Sequence, residues 1–164
     1  MWHRIWLNLF TGWFQLNRWF PEARMKFIRD VIAKGEMGHS GEVCFAVEAR
    51  YSLWAIIEGI QTRQRAEQVF SSLGVWNTQD NSGVLVYLQL AERRIEIIAD
   101  RGISAKVPTM QWQALCSEFA NTLRKDAPDQ AVIDCVNKIN ALLQTHFPAA
   151  YDNPKELPDE PIIL

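Results

Sequence analysis

The sequence predicts an α/β fold with a mixed sheet, and three patterns support this. Two short segments, 43–47 and 84–88, are apolar on both faces, as expected of strands that are covered on both sides. Apolar residues at helical spacing lie between them, so strand, helix and strand form a parallel βαβ unit. The segment 94–99 follows the second strand after a tight connection and predicts an antiparallel hairpin. We therefore expect one domain with a buried, mixed sheet.

The composition limits the class of protein. A chain of 164 residues with 48% hydrophobic and 22% charged residues is typical of one globular domain. Its formal net charge of -2 provides no positive field, which argues against electrostatic binding of nucleic acid. The cysteines lie in separate apolar stretches without the spacing of a zinc site. No apolar run approaches the ~18 residues that a membrane-spanning helix needs.

The remaining helices are predicted from their ends. Prolines favour the first turn of a helix and glycines favour the position just after the last turn. These signals predict helices near 21–35, 62–73, 108–123 and 128–147. The two-sided apolar strands should bury almost completely the side chains of Cys44, Phe45, Val47, Leu85, Val86 and Leu88.

The first 20 residues predict an amphipathic helix rich in tryptophan. Apolar residues recur at three- and four-residue steps, among them Trp2, Trp6 and Trp13, and the segment holds Arg4 and Arg18 but no acid. We expect the tryptophans to pack on the domain. The alternative is an interfacial helix that lies among anionic lipid headgroups. The apolar residues are interrupted too often for a signal peptide, so we expect a cytoplasmic protein, with the inner membrane as its site of peripheral contact under the alternative.

The end of the sequence predicts a tail. Four of the seven prolines lie between positions 148 and 161, among several acidic residues, which is typical of an extended segment. The sequence therefore divides into an N-terminal helix over 1–20, an α/β domain over 21–147 and a tail over 148–164. Residues 162–164 are apolar enough to dock on the domain.

Polar side chains collect at one edge of the predicted sheet. The end of the third strand, at 100–102, should lie beside the loop 78–82 that leads into the second strand. Asp80, Asn81 and Asp100 would then offer the hard oxygen ligands that Ca²⁺ or Mg²⁺ requires. Asp and Asn are also the residues that most often cap turns, so loop capping and cation binding are both open interpretations.

The stretch from Arg65 to Val107 resembles the TPM domain. The matching segments are Arg65–Phe70, Leu73–Trp76, Asn81–Tyr87, Arg94–Ile97 and Asp100–Ile103. In the family they correspond to an apolar helix, a short Gly-rich turn, an N-N-G-V-L-L start of a strand, a charged hairpin and a G-Y-G turn. With the first strand included, the resemblance covers residues 20–147.

The resemblance implies a Rossmann-like, three-layer α/β/α sandwich. It also implies acid phosphatase activity, calcium binding or non-catalytic assembly and repair of membrane complexes, because members of the family are linked to each of these. We expect a non-catalytic binding or auxiliary module for the assembly or maintenance of envelope or membrane proteins, stabilised by a divalent cation and acting on a protein partner. The sequence has no P-loop and no G-x-S-x-G motif, which favours this interpretation.

The alternative function is that of a metal-dependent, acid phosphatase-like hydrolase. A metal ion bound by Asp80, Asn81 and Asp100 would then work beside Arg101, whose guanidinium would hold the phosphate or a partner group.

Overall fold

The computed structural model describes the backbone of residues 2–10, 12–149 and 155–164, and the side chains of these residues except 10 and 12–15. The helices are α1 (Trp2–Phe10), α2 (Gly12–Trp19), α3 (Glu22–Glu36), α4 (Leu53–Ile57), α5 (Thr62–Ser72), α6 (Arg101–Ser104), α7 (Thr109–Arg124) and α8 (Pro128–His146). The strands are β1 (Val43–Glu48), β2 (Val84–Gln89), β3 (Arg94–Ala99) and β4 (Ile162–Ile163).

The strands form one mixed sheet in the order β3-β2-β1-β4. β1 and β2 are parallel, and α5 crosses between them, as predicted for a βαβ unit. β2 and β3 are antiparallel, which confirms the predicted hairpin. β4 was not predicted as a strand; it adds to the outer edge of β1 in parallel, pairing Ile162 with Ala46 and Ile163 with Val47.

The sheet separates two apolar cores because successive side chains of a strand point to opposite faces. One row across the sheet, Phe45, Val86 and Ile97, belongs to the larger core. The neighbouring row, Cys44, Leu85 and Ile98, belongs to the smaller core on the other face. Each fully buried aliphatic or aromatic side chain stabilises the fold by about 1.5–3 kcal/mol. The predicted burial is confirmed, with exposed fractions of 5% or less for Cys44, Phe45, Val47, Leu85, Val86 and Leu88.

Helices cover both faces of the sheet and produce three layers. α5 packs over the smaller core through Ala66 and Val69. α3, α7 and α8 cover the larger core, and α7 and α8 pack against each other. The three-layer α/β/α sandwich is therefore confirmed.

The N-terminal residues form two helices, α1 and α2, in place of the single helix predicted over 1–20. Leu16, Trp19 and Phe20 are 5% exposed or less and complete the larger core. Within residues 2–10, 12–149 and 155–164, none of the helices combines the length and the apolar character needed to cross a bilayer.

Candidate functional site

The two polar loops predicted to meet at one edge of the sheet do meet. The amide of Gly102 donates to the carbonyl oxygen of Asn81 over 2.9 Å, and the amide of Asp100 donates to that of Gly83 over 2.9 Å. The contact is close: a Cβ atom on Gly102 would lie 2.3 Å from the carbonyl oxygen of Asp80. Position 102 therefore requires glycine. This steric restriction explains the glycine at the third position of the turn that corresponds to G-Y-G.

Asp100 caps the short helix α6, which the sequence did not predict. Its Oδ1 accepts a hydrogen bond from the amide of Arg101 over 2.7 Å. Its Oδ2 is buried and has no hydrogen-bond partner among the residues that the structure describes, and the residue as a whole is only 9% exposed. A buried carboxylate oxygen without a donor is unfavourable, so this atom is the part of the loop pair that most needs a ligand.

The other two predicted ligands already have protein partners. Asn81 adopts a left-handed conformation with φ of 53°, and its Oδ1 accepts from Nε of Arg101 over 2.7 Å. Oδ2 of Asp80 accepts from the hydroxyl of Ser40 over 3.1 Å. Arg101 thus holds an amide of its own chain. In the part of the chain that the structure describes, no three His, Cys, Asp or Glu side chains are placed to hold a metal ion.

Residues 155–164 lie against the same edge of the sheet, and we call this segment the strap. The amides of Glu156 and Leu157 donate to the two oxygens of Glu42 over 3.0 and 3.3 Å. The carboxylate of Glu156 in turn accepts from the amide of Gln79 over 2.9 Å. The strap therefore joins the start of β1 to the polar loop 78–82, a connection that the sequence analysis missed.

A second acid near the strap is Glu36, at the end of α3, which accepts from the amide of Val43 over 2.9 Å. Burial, followed by the interaction with Asp159 of the strap, raises the pKa of Glu36 to about 9, so its carboxyl is neutral at pH 7. Burial also raises the pKa of Glu42. Asp159 forms an ion pair with Lys155.

The opposite end of the sheet holds α1 by its polar face. Nε of Arg4 donates to Glu92 over 2.8 Å, and Nδ2 of Asn8 donates to the same oxygen over 3.1 Å. Oδ1 of Asn8 accepts from the amide of Tyr51 over 2.7 Å and from the side chain of Gln89 over 3.1 Å. Asn8 is only 2% exposed, so α1 docks through buried polar contacts.

The apolar side of α1 points outward, which corrects the expectation that its tryptophans pack on the domain. Trp2 is 74% exposed and Trp6 is 62% exposed, while the side chain of Trp13 lies outside the described residues. The neighbouring helix α4 contacts α1 and also exposes apolar residues. We call this combined surface the aromatic face; its members are Trp2, Trp6, Leu9, Leu53, Trp54 and Ile57.

A charged cluster lies at the end of β1, near α1. The guanidinium of Arg65 donates to both oxygens of Glu48 over 2.8 and 3.1 Å. The hydroxyl of Tyr87 donates to the same carboxylate, and burial, with the charge of Glu48, raises the pKa of Tyr87. Every oxygen of Glu48 is thus satisfied from within the domain, as a structural ion pair requires.

An open groove of about 570 Å³ lies between β3 and α7. Arg63 lines it and donates to the carbonyl of Ile97 over 3.0 Å. This carbonyl, on the outer edge of β3, is therefore not free to pair with another strand. Cys116 also lines the groove, and burial raises the pKa of its thiol to about 11. The thiol is protonated at neutral pH and is a poor nucleophile there.

Comparison with known proteins agrees with this architecture. The model of the TPM domain matches residues 20–142. The NMR structure of the BA42 protein from the psychrophilic bacterium Bizionia argentinensis sp. nov. is similar, with a TM-score of 0.75 and 27% sequence identity. The similarity covers 86% of this chain and 92% of that one. No match is found among curated proteins. Because the family model spans well over half of the sequence, and the fold is that of a structure similar over most of its length, this chain belongs to the TPM domain family.

Proposed function

We propose that this chain is a non-catalytic auxiliary module that contacts a membrane surface through its aromatic face and assists the assembly or maintenance of membrane proteins there. The observation that carries the proposal is the orientation of α1. Buried bonds from Arg4 and Asn8 hold the polar side of the helix on the domain, and Trp2 and Trp6 remain exposed.

The chemistry of the aromatic face suits a bilayer interface. Tryptophan combines a large apolar ring with an N–H donor, and it concentrates at the headgroup level of membranes. Trp2, Trp6 and Trp54 are each more than 60% exposed on two helices in contact. Ordering a disordered segment costs free energy and weakens its binding. Helix α1 is already folded and anchored on the domain, so its binding to a membrane would not carry this cost.

The distribution of charge supports the same orientation. Helix α1 contains His3 and Arg4 but no acid, and α4 contains no charged residue. The acidic side chains of Glu42, Asp80 and Asp100 lie at the start of β1 and on the loops beside it, which we call the acidic edge, and the aromatic face adjoins the far ends of the strands. An anionic surface would therefore attract the aromatic end and repel the acidic edge.

The acidic edge is proposed to bind a divalent cation weakly, as a stabilising ligand. The unpartnered Oδ2 of Asp100 supports this, since a cation would satisfy it. Asp80 and Asn81 would contribute oxygens after exchanging their present partners, Ser40 and Arg101. The cost of that exchange is the reason to expect weak binding.

The alternative of a phosphatase-like hydrolase receives less support from the same contacts. Phosphoryl transfer needs cations aimed at the phosphate and an activated nucleophile. The guanidinium of Arg101 instead donates to Asn81 over 2.7 Å. The proposal is therefore a binding role, with Arg101 as a loop-ordering residue.

Vesicle co-sedimentation tests the membrane contact. The intact protein should bind vesicles of phosphatidylcholine mixed with phosphatidylglycerol, with a blue shift of tryptophan emission. The double variant Trp6→Ser/Trp54→Ser should bind about tenfold less, which corresponds to about 1.4 kcal/mol. Trp76→Ser is the matched control, because Trp76 is 53% exposed but lies between α5 and β2. Absence of binding by the intact protein, or equal loss in the control, would show that the aromatic face does not contact membranes.

A further inference from the structure

A basic hollow lies at the same end of the sheet as the aromatic face. This open cavity of about 540 Å³ lies between the start of β3 and the end of α7. Three arginines, Arg93, Arg94 and Arg124, and one acid, Glu96, contribute to its lining. Nη1 of Arg63 lies 3.6 Å from Oε2 of Glu96 and balances its charge. The hollow is therefore positively charged, although the whole chain has a formal net charge of -2.

Two acids near these arginines are held by other partners. Oε1 of Glu92 lies 2.8 Å from Nε of Arg4, and its Oε2 lies 3.9 Å from Nε of Arg94, which is too long for a hydrogen bond. Asp126, just after α7, forms an ion pair of 3.0 Å with Arg18. The side chain of Arg94 is 62% exposed, so its N–H groups are available to an anion from outside.

The other two arginines are held in place by the fold. The guanidinium of Arg93 lies over the ring of Trp19, 5.3 Å from its centroid, and Trp19 is buried in the larger core. This stacking uses the face of the guanidinium and leaves the N–H groups at its rim available. Arg124 donates to Oδ1 of Asn121 over 2.8 Å, which orders it on the opposite wall. Donors that are ordered in advance bind an anion at a lower entropic cost.

The turn between β2 and β3 joins the hollow to the aromatic face. Its residue Glu92 anchors α1, and the next two residues, Arg93 and Arg94, line the hollow. The backbone of Arg93 has a φ of 50°, a conformation that favours glycine or asparagine. An arginine at this strained position indicates that its side chain, rather than the geometry of the turn, is needed there.

We infer that the basic hollow binds the phosphate of an anionic phospholipid headgroup while the aromatic face lies in the interface of the same bilayer. This inference rests on the proposed membrane contact and adds the class of lipid. Guanidinium groups bind phosphate oxygens through paired N–H donors. Phosphatidylcholine carries a cationic group next to its phosphate, which three arginines would repel. Headgroups without a cation, such as that of phosphatidylglycerol, should therefore be preferred.

Vesicles of two compositions test the inference with the intact protein. The variant Arg94→Gln/Arg124→Gln should bind vesicles of phosphatidylcholine mixed with phosphatidylglycerol about tenfold less than the wild type, because each arginine near an anionic surface contributes to binding. Its binding to pure phosphatidylcholine should stay unchanged. Arg93 is retained in this variant because it packs on Trp19. Circular dichroism verifies that the variant is folded.

The matched control removes the same charge elsewhere. Lys34 lies in the last turn of α3, and Lys106 follows α6; both are exposed and lie away from the β2–β3 turn. Lys34→Gln/Lys106→Gln should change binding by less than about twofold, because distant charges are screened by salt. An equal loss in this control, or an unchanged affinity of the arginine variant, would overturn the inference and leave the membrane contact standing. Failure of the wild type to bind either kind of vesicle would reject both proposals.

A titration with inorganic phosphate distinguishes a lipid from a soluble phosphate compound. Followed by ¹⁵N NMR of the intact protein, phosphate should shift the amide signals of residues 93, 94 and 124 only at millimolar concentrations, and chloride at equal ionic strength should not. Weak binding is expected because a free anion lacks the contribution of the aromatic face. Saturation at micromolar phosphate would assign the hollow to a soluble compound, and absence of any shift would show that it does not bind phosphate. Either result would overturn the inference.

Discussion

The guanidinium of Arg4 lies 2.8 Å from the carboxylate of Glu92, and this ion pair joins α1 to the turn between β2 and β3. The carboxylate is buried, with 6% of the Glu92 side chain exposed. Asn8 donates to the same oxygen and completes the attachment. The direction in which the tryptophans of α1 point is thus set by polar partners on the opposite side of the helix.

Asn8→Ala should lower the free energy of unfolding by about 1–3 kcal/mol, because it leaves the buried amide of Tyr51 and the side-chain amide of Gln89 without their acceptor and removes one of the two donors to Glu92. Urea denaturation measures the change. Asn17→Ala is the control, since Asn17 is exposed and its loss should stay within about 0.5 kcal/mol. Equal effects of the two substitutions would mean that the Asn8 contacts do not stabilise the fold.

Phe45→Ala should cost about 3–5 kcal/mol, because Phe45 is 1% exposed and its removal leaves a cavity between the sheet and the helices over the larger core. Phe27→Ala, at a position that is 45% exposed, should cost much less. Both values come from the same denaturation experiment. A small cost at position 45 would contradict the two-sided burial of β1.

Millimolar calcium should raise the Tm of the wild type. A ligand at about ten times its Kd stabilises the native state by about 1.4 kcal/mol. For a domain of this size, each kcal/mol of added stability raises the Tm by roughly 2–4 °C. Asp100→Asn should lose the response, and Asp134→Asn, which changes an exposed carboxylate of α8, should keep it. If all three proteins show the same Tm with and without calcium or magnesium, the acidic edge is only a capped loop pair.

Hydrolysis of phosphate esters should not exceed a trace, with or without magnesium, because Arg101 is engaged with Asn81 and the thiols of Cys44 and Cys116 are protonated. The measurement is release of nitrophenol from its phosphate ester at acidic and neutral pH. Robust turnover that disappears in Asp80→Asn would establish the hydrolase and reject the binding role.

Deletion of residues 1–20 should make the protein aggregate, because it removes Leu16, Trp19 and Phe20 from the larger core. By contrast, Trp2→Ser/Trp6→Ser should stay folded and soluble, since both side chains are largely exposed. Size-exclusion chromatography and circular dichroism distinguish the two outcomes. A stable, soluble deletion variant would show that α2 is not part of the core.

The sheet and its covering helices could be predicted because their signals are local. Phe45 and Val86 lie in short runs that are apolar at every position, which is compatible only with burial on both sides. The meeting of Asn81 with the turn at Gly102 followed from the order of the strands. The strand β4 could not be predicted, because a run of two residues carries no periodicity.

The orientation of α1 and the contacts of the strap depend on partners far away in the sequence. An amphipathic pattern indicates that one side of a helix differs from the other, but not which side is buried. The side of α1 that carries Asn8 is buried because Asn8 hydrogen bonds to Gln89, at the end of β2, and to Glu92, in the turn that follows. In the same way, Glu42 is an ordinary acid in the sequence until the fold places the amides of Glu156 and Leu157 against its carboxylate.

The pairing of β1 with β4 links residues 46 and 162, so its two strands leave the ribosome at very different times. β1, β2 and β3 have all emerged long before residue 162, and until then one side of β1 has no neighbour. Such an edge is prone to pair with other nascent chains. A chain that is released before residue 162 has been made would therefore keep this edge of β1 open to other extended segments.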